Sequence, residues 1–179
     1  MEKDYNEDIA SRNILGLFKK DDDRFLTDDE IKYLSEEIAV IGANISRFRF
    51  NEGEGVGFVD RSGIIRINKC ILTGQDNVPE KYRLSPRGIL AHEYWGHLMN
   101  HPSPFEPNTP EDECWADDSA ARRSPGLTDE ERTILLRRAL RYAQIARAQS
   151  NISNHRFAYN IDEFIRRYIS DDEIREFNR

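Results

Sequence analysis

The chain is poor in cysteine, methionine and tryptophan, with two of each in 179 residues, and it has no long apolar run. Cys70 and Cys114 stand far apart without a CxxC pair, so two thiols in a reducing compartment are expected rather than a disulfide framework. No stretch approaches the ~20 apolar residues of a membrane helix. Met1-Glu-Lys-Asp4 opens a charged segment where a secretory signal would place basic residues and then an apolar core. A cytoplasmic protein without a membrane partner is the expectation. No Lys/Arg block stands out either: 33 acidic residues outnumber 26 basic ones, for a net charge of -7. Without a basic footprint for phosphates, no nucleic-acid partner is expected.

What is present suffices for a core. Nine Phe, seven Tyr and periodic Ile and Leu offset a mean hydropathy of -0.75. The length predicts a charged N-terminal segment over 1–23, loosely docked or a tail, followed by one domain over 24–179. Thr27-Asp-Asp-Glu30 is a capping-box pattern ahead of Ile31, Leu34, Ile38 and Ile41, which predicts a helix over about 28–42. Between 45 and 72 the period falls to two: Phe48 and Phe50 alternate with arginines, then come Val56-Gly-Phe-Val59, a turn at 60–63 and Ile64-Ile-Arg-Ile67. This predicts a small antiparallel sheet of about three strands. Ser85-Pro86, Thr109-Pro110 and Thr128-Asp-Glu-Glu131 each start a helix, and Asn160 and Ser170 cap two shorter ones. The fold class is α+β, a small sheet packed on a mainly helical domain.

The chemistry concentrates in Leu90-Ala-His-Glu-Tyr-Trp-Gly-His-Leu-Met-Asn-His101. Zinc peptidases use two histidines four apart on one helical turn, with a Glu beside the first as general base on water. Here His92 and His97 are five apart. On a regular α-helix that leaves their side chains roughly 140° apart around the axis, against about 40° for a spacing of four. A π-bulge restores the facing, and Gly96 is the candidate place for it. Glycine inside a helix costs about 1 kcal/mol relative to Ala, so a bulge or a close backbone approach is expected there.

The next capped helix carries Asp112-Glu-Cys-Trp-Ala-Asp117. Glu113 is a suitable third zinc ligand beside His92 and His97, leaving a fourth position open. Asp117, one turn on, is placed to accept a hydrogen bond from a ligand imidazole. Small Ala116 permits the two helices to approach closely. Trp95 and Trp115 read as core packing around these helices.

The pair HExxGH and ECxAD resembles the zinc site of the dipeptidyl peptidase III family, a gluzincin variant with an extra residue between its histidines. It is also similar to shorter gluzincins with HExxH and a later acidic motif, such as the IrrE/ImmA-like regulatory peptidases and small toxin-type zinc peptidases. The resemblance spans about a dozen residues, and Asp112 stands where the family has Glu. It implies a zincin-like domain with Zn2+ between two central helices, held by His92, His97 and Glu113. Glu93 would be the base and Asp117 the acidic neighbour of a ligand. The expected activity is hydrolysis of a peptide or protein substrate, with a Tyr or His from the C-terminal region, His155 or Tyr159, as oxyanion donor.

Three alternatives use the same residues. Glu93, His97 and His101 at i, i+4, i+8 would bind a metal without any bulge, although His101 precedes Pro102, which disfavours helix at its own position. A zinc-stabilised binding or regulatory module would need the metal but not the base. The peptidase domain of a toxin or effector would need both.

Overall fold

A computed structural model describes residues 25–52, 57–59, 62–99 and 109–149. The N-terminal segment 1–23, His101, His155, Tyr159 and the helices expected after Asn160 and Ser170 lie outside the described residues.

Helix α1 (Asp28–Val40) starts where the capping box requires: Thr27 Oγ1 accepts from the Glu30 amide, and the Glu30 carboxylate accepts from the Thr27 amide. Just past its end Gly42 takes a left-handed φ of 66°. A short 3₁₀ turn (Ile45–Arg47) then leads into strands β1 (Phe48–Phe50), β2 (Gly57–Val59) and β3 (Ile65–Ile67). After the one-turn helix α2 (Cys70–Thr73), helix α3 (Pro86–Ala91) continues without a break into a π-helical stretch, His92–Leu98. Helices α4 (Pro110–Arg123) and α5 (Asp129–Gln149) complete the described fold. It is mostly helical and α+β.

The sheet corrects the antiparallel expectation. Its strand order is β1-β3-β2, with β1 and β3 parallel and only β2 and β3 antiparallel. The most apolar strand takes the middle: Ile65 and Ile67 are fully buried, while the glycine-led β2 lies at an edge. The main core joins this strand to α1, α3 and α5 through Leu34, Ile38, Leu90 and Leu135. A second, small-residue cluster of Cys114, Ala139, Ala143 and Ala146 seams α4 to α5. Because these side chains are short, the two helix backbones come close, and that proximity sets up the site below. Trp95 packs against the main core and donates from Nε1 to the Ile41 carbonyl at 2.8 Å. Trp115, expected in the core, is instead exposed (39%), while its neighbours Cys114 and Ala116 are buried against α5 and the π-helical stretch. Among the described residues no helix is long and apolar enough to cross a membrane.

Candidate metal centre

The five-residue spacing of His92 and His97 is accommodated by the backbone. In a π-helix each amide bonds the carbonyl five residues back, so residues five apart stack on one face. The Met99 amide donates to the Tyr94 carbonyl in this register. The consequence is that His92 Nε2 and His97 Nε2 face each other at 3.0 Å. Both residues are buried, at 4% and 6% exposure.

Gly96 is explained by close approach as well. A β-carbon there would lie 2.7 Å from the Ala116 carbonyl oxygen and 2.8 Å from both Ala116 Cα and Cβ. No side chain fits between these backbones, so Gly96 opposite Ala116 lets α4 lie directly against the π-helical stretch. The Ser119 hydroxyl ties the same two elements, donating to the Trp95 carbonyl at 3.0 Å.

Helix α4 begins with a second capping box. Thr109 Oγ1 accepts from the Asp112 amide, and the Asp112 carboxylate accepts from the Thr109 amide. Asp112 therefore serves the cap, which leaves the neighbouring Glu113 for the histidines. Its Oε2 lies 3.3 Å from His92 Nε2 and its Oε1 lies 3.5 Å from His97 Nε2. One donor atom from each of His92, His97 and Glu113 falls within 4.8 Å of the other two, a group able to hold a metal ion.

The spacing suits a tetrahedral ion. Donors at ~2.0–2.1 Å from a tetrahedral centre lie about 3.3 Å from one another. The two imidazole nitrogens here are 3.0 Å apart, and each lies near a different oxygen of the Glu113 carboxylate, His92 at 3.3 Å from Oε2 and His97 at 3.5 Å from Oε1. Two imidazoles and one carboxylate are also the donor types that borderline-soft divalent ions favour.

The surroundings are charged and buried. Asp117, one turn beyond Glu113 and fully buried, accepts from His92 Nδ1 at 2.7 Å, which turns Nε2 toward His97 and Glu113. On its other side Asp117 receives Arg138 Nε of α5, at 3.1 Å from Oδ2 and 3.3 Å from Oδ1. The Tyr142 ring lies 5.8 Å from the Arg138 guanidinium carbon. Burial by itself would push the His92 imidazole down; the charge and hydrogen bond of Asp117, reinforced by Glu113, override it and lift His92 to about 10. For Glu113 burial pulls upward, but the hydrogen bonds and charges of His92 and His97 hold its carboxyl well below the usual range. Glu93 is buried at 4% exposure and pushed up, chiefly by burial. Its main electrostatic neighbours are His97, His92, Glu113 and Arg138, so its carboxyl belongs to the same cluster.

His92, Glu93, His97, Glu113 and Asp117 are thus brought together. Arg138 and Tyr142 were not anticipated from the sequence. A signal for the arginine exists: Leu135, Arg138, Ala139, Tyr142, Ala143 and Ala146 follow helical spacing, so Arg138 interrupts an otherwise apolar and aromatic stripe. A cation on a buried helix face needs a buried anion opposite it.

No protein-family model, curated protein or solved structure matches this chain.

Proposed function

We propose that the chain is a zinc-dependent peptidase with a zincin-like arrangement, its ion held by His92, His97 and Glu113. The observation that carries this reading is the π-helical stretch. Among the described residues, the only π-helical backbone joins the two histidines whose spacing an α-helix could not converge, and a capped helix sets a carboxylate against both. Such distortions of a helix concentrate at functional sites.

A bound zinc supplies Lewis acidity toward a substrate carbonyl and acidifies water held beside it. The chain's own groups do the rest. Glu93, next to His92 in the same buried cluster, accepts the proton of the attacking water on a carboxylate oxygen and returns it to the leaving amine. Asp117 fixes the ring of His92 through Nδ1. Edge strand β2 lies beside the π-helical stretch, so an extended peptide adding to β2 would run past the cluster. The partner in this reading is a peptide or protein, and the compartment is the reducing cytoplasm.

The test combines metal analysis with substitution. Purified protein is expected to carry about one zinc per chain, with His92→Ala and Glu113→Ala losing it. Glu93→Gln should keep the zinc while peptide hydrolysis drops by about 10²–10⁴-fold, the range for removing a general base. Zinc retained in His92→Ala would overturn the ligand set. Unchanged function in zinc-loaded Glu93→Gln would make the protein a zinc-stabilised binding module.

A further inference from the structure

We propose that Arg138 of α5 is a positioning residue of the metal centre, acting through Asp117 on His92, an inference that rests on the metal-binding reading above. Three helical elements meet at this line of contacts. His92 comes from the π-helical stretch, Asp117 from α4 and Arg138 from α5, with 2.7 Å from His92 Nδ1 to Asp117 Oδ1 and 3.1 Å from Arg138 Nε to Asp117 Oδ2. Asp117 is fully buried and Arg138 is 7% exposed.

The polarity of these contacts defines the role. A guanidinium only donates, so Asp117 accepts from Arg138 on one side. A carboxylate that is an acceptor toward the guanidinium is an acceptor toward the imidazole too, so His92 Nδ1 is the donor. The lone pair of His92 is then left on Nε2, the nitrogen that faces His97 and Glu113. Arg138 also balances charge. Glu93, Glu113 and Asp117 place three carboxyl groups in one buried region, and Arg138 adds a permanent positive charge beside them through its hydrogen bonds to Asp117.

Position on α5 keeps the guanidinium in place. The Tyr142 ring, one turn further along, lies over it, and Ala139 and Ala143 seam the same helix against Cys114 of α4. Substituting Arg138 should therefore loosen the orientation of a ligand it never touches. Groups that orient metal ligands through a hydrogen bond change metal affinity by about 10–100-fold when removed.

The experiment measures zinc affinity by competition with a chromogenic chelator for wild type, Arg138→Gln, Arg138→Lys, Asp117→Asn and the double variant Asp117→Asn/Arg138→Gln. Folding of each is checked by circular dichroism. The expected result is about 10–100-fold weaker zinc binding in Arg138→Gln, with most of the loss recovered in Arg138→Lys. In the Asp117→Asn background, adding Arg138→Gln should change affinity by less than about threefold, because the residue through which Arg138 acts is already gone.

Wild-type affinity in folded Arg138→Gln overturns the proposal, as does full multiplication of the two effects in the double variant. Should Arg138→Gln fail to fold with Asp117 left as an unpaired buried charge, the double variant, which buries neither charge, decides by its comparison with Asp117→Asn alone. A wild-type protein that binds no zinc overturns the metal reading itself, a result separate from any difference among the variants.

Discussion

His92 meets His97, Glu113 and Asp117 at once. In the metal-free protein its folded pKa is raised from 6.5 to about 10. A group raised in this way contributes stability that is fully present below 6.5 and is lost as pH climbs through 10. The melting temperature of chelator-treated protein should therefore fall across that window, and His92→Gln should remove this part of the slope; a slope unchanged in the variant would refute the assignment. The two cysteines offer a second check at this scale. Cys114 is 2% exposed and its thiol is pushed up, mainly by burial, whereas Cys70 is half-buried. Native protein should take up one equivalent of iodoacetamide, on Cys70, with Cys114 reacting only after unfolding, as peptide mass analysis would read. The residue types of the site were legible in advance. His92, Glu93, His97, Glu113 and Asp117 all lie in two short segments whose chemistry is written in their spacing. Arg138 was not legible in that way, because its partner is 21 residues distant and on another helix.

Helices account for most of what the sequence announced correctly. The capping box at Thr27 and the Ser85-Pro86 and Thr109-Pro110 starts all appear, since caps depend on residues within three positions of one another. The small element α2 and the 3₁₀ turn at Glu80–Tyr82 carry no such signal and were not expected. The element most exposed to a single substitution is the π-helical stretch. Gly96→Ala would drive a methyl group into the backbone of Ala116, which cannot rotate away as a side-chain end can. We expect a loss of about 1–3 kcal/mol in denaturant unfolding, together with weaker zinc binding as α4 and its Glu113 are pushed off. Gly88→Ala in α3 is the control: the nearest atoms to its new methyl group belong to the Leu84 side chain and Ser85 Oγ, at 3.2 Å or more, and it should shift stability far less. Equal losses at both positions would mean that close packing at Gly96 is not what the glycine provides.

For the molecule as a whole, the proposed metal centre would be a crosspiece between the π-helical stretch and α4, which already meet through packing and the hydrogen bond from Ser119 to the Trp95 carbonyl. In the proposed site, ligands from the π-helical stretch and from α4 would share one ion, so zinc should stabilise the fold by mass action. At a free zinc concentration 100 times Kd the gain is about 2.7 kcal/mol, or about 5–10 °C in melting temperature for a chain of this size. A thermal scan with and without a chelator measures it, and no shift in wild type would argue against a metal spanning these elements. The sequence by itself determined the helix starts, the apolar stripes and the identity of the five clustered site residues, because each depends on neighbours within one or two turns. It also required that an α-helix could not carry His92 and His97 to one ion, which is a statement about angle and needs no coordinates. Only the tertiary structure decided how that conflict resolves and what supports it. The parallel pairing of β1 with β3, the seating of Gly96 on Ala116 and the approach of Arg138 to Asp117 all join residues distant in sequence. Which distant surfaces meet is set by how the apolar faces pack together, and no local spacing encodes that.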